Sequence, residues 1–273
     1  MKKPELTTFS EYQSDAPNLV SLLGVVVSFV GTLITIALFQ EMFVGGHVAS
    51  YGVASCLTTN CFCEQPRTIV GMFVQPSNTY SSFAFVWIGL LLAFVQARES
   101  ATWRRRLWPL PTIAITVGLS SAYFHSTLSF IGQFLDVFAM HALVFFILLV
   151  ALRRLFGMNG VSFGVAYWTM LSCTGFLLYN VPVTRRYLFA LLVVLSIVLE
   201  VSSIKRLGIQ IASRYFWIAT MSLAVGYAVW FLDNKLILCS GNSWLQGHGF
   251  WHAAGAVSIA LLYRYYRSEK IAH

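Results

Sequence analysis

The chain has 273 residues, 58% of them hydrophobic and only 10% charged, with a formal net charge of +8 and a mean hydropathy of +0.72. About a quarter of an ordinary soluble globule is charged, so these values exclude that class. The excess of Lys and Arg lies between apolar runs rather than on one concentrated patch, which argues against nucleic acid as a partner.

Eight apolar runs reach the roughly 17–25 residues that a bilayer crossing needs. They cover 18–40, 76–97, 109–127, 130–152, 160–182, 186–204, 214–232 and 245–263. This pattern predicts an all-α, multi-pass transmembrane helical bundle and leaves no room for a separate soluble domain. The first run follows Lys2 and Lys3, as a signal peptide would. However, Glu5, Glu11 and Asp15 intervene, and the run exceeds an ordinary signal-peptide core, so it reads as a retained signal-anchor.

With a cytoplasmic N-terminus, only Arg67, Arg185, Arg186 and Lys235 fall on the outer side; every other Lys and Arg falls inside. That split follows the positive-inside rule and places both termini in the cytoplasm. It also puts Cys56, Cys61, Cys63 and Cys239 in outer loops, on the oxidising side where disulfides persist. Cys63 with Cys239 and Cys56 with Cys61 is one pairing among those open to them. Cys173, in mid-helix, reads as an inert apolar filler.

The polar residues inside the runs carry the functional signal, because an ionisable group in a membrane span needs a reason to be there. In run 109–127, Ser121 and His125 stand four residues apart on one helix face. Asp136 follows eleven residues after His125, about two turns into the next run. The last run opens with His248 and His252, again at helical spacing. All five lie at a similar depth, in the outer half of the membrane. One His-x-x-x-His pair and a third His from another helix form the usual ligand set of a catalytic zinc with one open position. A neighbouring Asp and Ser supply the working groups of a metal-assisted hydrolase. The competing reading is a hydrogen-bonded polar cluster, as in a proton-coupled transporter.

Elsewhere, Glu200 at the inner end of run 186–204 reads as a side chain snorkelling to the interface. Trp103, Trp108, Tyr187, Trp244 and Tyr263 sit at segment ends, as in an interfacial aromatic belt. Asp233-Asn234 reads as a loop cap. Asn78 and Ser82, at the start of run 76–97, read as capping or site-lining groups. His47 and His273 read as solvated, and His141 as a helix contact.

The Ser-x-x-x-His of Ser121 and His125, Asp136, and the His-x-x-x-His of His248 and His252 resemble the alkaline ceramidase family of the CREST superfamily. Asn78-Thr79-Tyr80-Ser81-Ser82, Cys63-Glu64, and Trp230-Phe231-Leu232-Asp233-Asn234 followed by Cys239 extend the resemblance across residues 61–265. It implies a seven-helix core, here preceded by one extra N-terminal helix. The organisation expected is a tail, anchor helix and outer loop over 1–60, the membrane domain over 61–265, and a cytoplasmic tail over 266–273. It also implies zinc held by His125, His248 and His252, with Ser121 and Asp136 catalytic. A Cys63–Cys239 disulfide and hydrolysis of a ceramide-like membrane lipid to a sphingoid base and fatty acid follow from the same source. Two alternatives remain: a heptahelical receptor or transporter of the superfamily, and a hydrolase of another lipid ester or amide.

The sequence departs from the family at its calcium-binding loop. The family pattern Asp-Trp-Cys-Glu-x-Asn reads here Cys61-Phe62-Cys63-Glu64-Gln65-Pro66, and a later Glu is Gln75. Glu64 is the single carboxylate left for calcium, far short of the roughly six to eight oxygens such a site uses. Calcium is therefore a doubtful cofactor.

Overall fold

The computed structural model describes residues 21–43, 52–58, 61–67 and 73–270. His47, His273 and the charged N-terminal tail lie outside them. The described residues form nine α-helices: α1 (Leu22–Phe43), α2 (Pro76–Ala97), α3 (Ala101–Leu107), α4 (Pro109–Thr127), α5 (Phe130–Phe156), α6 (Gly160–Asn180), α7 (Arg185–Leu207), α8 (Ser213–Asn234) and α9 (Gly247–Arg267). Seven stretches are long and apolar enough to cross a membrane, with α3 and α4 counted as one. The chain is a multi-pass integral membrane protein. Helix α9 is as long as several of these but more polar, since it carries His248, His252, Ser258, Arg264 and Arg267.

α2 stands at the centre, between α4 and α9. α8 packs on α9, α5 on α4 and α7 on α5, while α1 lies along the outside of α2 and α6 along α5. Lipid tails are as apolar as Leu, so close packing rather than hydrophobic burial holds such helices together. Gly89 and Gly118 show this at the α2–α4 crossing. A methyl group at Gly89 would come within 2.9 Å of the Pro111 carbonyl, and one at Gly118 within 3.0 Å of the Ser82 carbonyl. This close approach sets Ser82 against Ser121. The outward faces carry large apolar side chains such as Trp168, Phe176, Val194 and Met221, each more than half exposed, as a lipid-facing surface requires. Cys173 is exposed on this outer surface rather than filling the core.

α7 and α8 at most touch at a point, although both line one central cavity. The ring of helices is therefore open at a slot between them.

At the end of the bundle rich in Arg, two sequence expectations are corrected. Glu200 does not snorkel. It is fully buried, is ion-paired with Arg154 of α5, and accepts a hydrogen bond from the Tyr265 hydroxyl of α9 at 2.5 Å. Arg154 also reaches Glu269 at 2.7 Å, so the charge is satisfied within the bundle and need not travel to the interface. Tyr263 is likewise not part of an aromatic belt. It is buried in the main core cluster, because α9 runs a further turn beyond it to Arg267.

The opposite end carries two disulfides, Cys56–Cys61 and Cys63–Cys239, with S–S distances of 1.98 and 2.03 Å. The second closes a loop of 176 residues. Its reduction should therefore lower stability by about 2–4 kcal/mol, read as a drop in Tm with reductant. An unchanged Tm would show that the clamp constrains nothing in the unfolded chain.

Candidate metal centre and lipid cavity

Local structure explains why the three histidines meet. α4 ends with Leu128 in a left-handed conformation (φ 47), its N–H bonded to the Phe124 carbonyl. Ser129 then caps α5, its hydroxyl accepting from the Gly132 N–H at 3.0 Å. This two-residue turn folds α5 back beside α4 and brings Asp136 to the cavity that Ser121 lines. α9 starts against the end of α8, where the Asp233 carboxylate accepts from the Gly247 N–H at 2.9 Å. The cap that the sequence suggested at Asp233-Asn234 thus joins two helices. Asn234 donates to the Cys61 carbonyl at 2.8 Å.

His125, His248 and His252 are all buried, and one ring nitrogen of each lies within 4.8 Å of the other two. His125 Nε2 and His248 Nε2 face each other at 3.1 Å. The opposite nitrogens fix the tautomers. His125 Nδ1 donates to Gln75 Oε1 at 2.8 Å, while the Gln75 amide Nε2 donates to the Glu64 carbonyl at 2.8 Å. His252 Nδ1 meets Ser81 Oγ at 2.8 Å, and that hydroxyl donates to the Asn78 carbonyl at 3.0 Å. Ser81 must then accept, so His252 carries its proton on Nδ1. Both rings therefore turn unprotonated Nε2 lone pairs into one small space. Convergent lone pairs repel one another unless a cation lies between them, and three neutral nitrogens with an open fourth direction suit a catalytic divalent metal. The donor set fits the metal that the sequence suggests.

Ser121 Oγ stands 3.3 Å from His252 Nε2 and 3.1 Å from Ser82 Oγ. Asp136, on α5, is its neighbour on the same wall. Both face a cavity of about 410 Å³ bounded by α4, α5, α7, α8 and α9. Away from the histidines its wall is apolar, with Val117, Leu143, Ile147, Val193, Leu223 and Ile259. Phe62, in the disulfide-bonded loop, covers the centre, with ring centroids 4.8 Å from His125 and 4.2 Å from His248.

The structure thus brings together Ser121, His125, Asp136, His248 and His252. Ser82 touches this group from behind, through Ser121 and through His252 Nδ1 at 3.5 Å. Asn78 is fully buried and does not line the cavity; its carbonyl accepts from Ser81 and Ser82. Glu64 stands apart. Its two carboxylate oxygens accept from the Ser77 and Asn78 N–H groups, each at 2.8 Å, and so cap α2. Burial pushes this carboxyl up from its ordinary value, against the pull of those two N–H groups and of Arg67, and with a further push from Asp233. His141 keeps the contact role expected of it, bonding the Val137 carbonyl and packing on Phe189 of α7.

Sequence reasoning named Gln75 only as a lost calcium ligand and Ser81 only as part of a polar stretch. Neither has a periodic signal, because each partner lies on a different helix. A family model described as Ceramidase matches residues 55–271. The chain is 28% identical to an alkaline ceramidase of Drosophila melanogaster over 226 residues, which is 76% of this chain and 77% of that protein. It is also 32% identical to alkaline ceramidase 1 of Mus musculus over 75 residues, 28% of each.

Proposed function

The chain belongs to the ceramidase family, and from that premise we propose that it is a zinc-dependent intramembrane amidase. It cleaves the N-acyl bond of a ceramide-like lipid to a sphingoid base and a fatty acid. The observation that carries this reading is the convergence of three histidine nitrogens with Ser121 and Asp136 on the wall of an apolar cavity.

His125, His248 and His252 hold the metal. When bound there, zinc would supply Lewis acidity to polarise the amide carbonyl and to acidify the attacking water. Asp136 accepts the proton of the attacking water and returns it to the leaving amine nitrogen. Ser121 donates a hydrogen bond to the carbonyl oxygen as charge develops on it. Phe62 and the apolar wall exclude bulk water, and the lipid chains enter sideways through the slot between α7 and α8. The positive-inside rule and the two disulfides at the opposite end support an orientation with the Arg-rich end in the cytoplasm and the scissile bond in the non-cytoplasmic half of the membrane.

The deciding experiment incubates purified protein with defined N-acyl lipids and identifies products by mass spectrometry. Release of sphingoid base and fatty acid, abolished by a zinc-stripping chelator, is expected. Intact lipid in the presence of stoichiometric metal would favour a receptor or transporter. Release only from other esters or amides would make it a hydrolase of those lipids.

Calcium does not fit this chain. Both Glu64 oxygens already cap α2, and Gln75 Oε1 is taken by His125. Activity should be indifferent to millimolar calcium and to a calcium-selective chelator. Several-fold activation by calcium, reversed in Glu64→Ala, would sink this expectation.

A further inference from the structure

The mouth of the cavity holds two arginines that the reaction above does not use. Arg185 and Arg186 open α7, and both line the cavity, whose deeper wall is apolar. Arg185 is committed to the scaffold: it donates to Ser55 Oγ at 2.7 Å and to the Pro182 carbonyl at 3.0 Å. Arg186 is not. It lies across the slot over the ring of Trp230, 5.4 Å from the centroid. Among the described residues no carboxylate pairs with either guanidinium. The Trp230 indole N–H, also on the cavity wall, is buried without a partner. The mouth is thus rich in donors and positive charge and poor in acceptors.

Depth says what belongs there. With the acyl carbonyl between Ser121 and Asp136, and the chains in the apolar part, the lipid headgroup comes to the first turn of α7. Arg186 is exposed at the mouth and is hydrated with a neutral hydroxyl there, whereas a phosphate would take its planar fork and the indole N–H together. We propose that Arg186, backed by Arg185 and Trp230, is a subsite for a headgroup oxyanion, so that N-acyl lipids carrying a phosphate-like group beside the amide are bound more tightly than those ending in a hydroxyl. This rests on the amidase reading for where the lipid lies.

Equilibrium binding tests the subsite without turnover. Two ketone analogues, with a methylene in place of the amide nitrogen, cannot be hydrolysed; one ends in a hydroxyl, the other in a phosphate. In detergent micelles the phosphate analogue should bind metal-loaded protein about 10-fold or more tightly than the hydroxyl analogue. Arg186→Gln should remove most of that ratio, and Arg186→Lys, which keeps the charge but not the fork, should retain part. Equal affinities, no binding of the phosphate analogue, or a ratio unchanged in Arg186→Gln would overturn the proposal; an arginine that only meets the surrounding bilayer gives that last result. Displacement of the phosphate analogue by millimolar inorganic phosphate would assign the subsite to the free ion and overturn the headgroup assignment. Failure to release fatty acid from both the hydroxyl-ended and the phosphate-ended N-acyl lipid, by contrast, would strike the amidase reading while leaving these binding ratios to be read.

Discussion

Replacing any one of His125, His248 and His252 with alanine should strip the metal from purified protein. The wild type should carry about one zinc per chain, since three nitrogens and one open position make a single site. Each ring contributes one of only three ligands, so no remaining pair can hold the ion. Gln75→Leu gives a graded contrast. It removes the acceptor at His125 Nδ1 but no ligand, and should weaken affinity by about 10- to 100-fold. His141→Ala, whose ring bonds its own helix, should leave the metal in place. Elemental analysis reads all six proteins. Full occupancy in the three single alanine variants would end the metal-site reading.

Asp136→Asn should lower kcat by about 10²- to 10⁴-fold, the range for losing a positioned proton carrier. Metal content should not change, since Asp136 is not among the three converging ligands. Asparagine keeps the size of the side chain, so the loss reads proton transfer rather than packing. Near-wild-type turnover in this variant would remove Asp136 from the mechanism, while metal loss would make it a ligand.

The reaction centre was legible in the sequence for a specific reason. His125 with Ser121, and His252 with His248, sit at helical spacing, and the Lys and Arg pattern alone places all four near one membrane face. Asp136 follows from the two-residue turn at Leu128 and Ser129, which is also local. What stayed hidden is non-local. Gln75 lies fifty residues from His125, and Ser81 is 171 residues from His252. Gln75 caps α2 and Ser81 lies within it, and no spacing rule links that helix to α4 or α9. Glu200 was misread for the same cause: its partners Arg154 and Tyr265 arrive from α5 and α9, so a charge near a helix end looked free. The slot between α7 and α8 has no signal at all, because two apolar helices read alike whether or not they touch.

The loop and the metal ligand form one mechanical linkage. Cys239 holds Cys63, the carbonyl of the adjacent Glu64 holds the Gln75 amide, and the Gln75 oxygen holds the His125 ring. The imidazole cannot rotate without disturbing a chain of contacts that ends at the Cys63–Cys239 bond. Reducing that bond should therefore loosen the seat of the His125 ring as well as the loop.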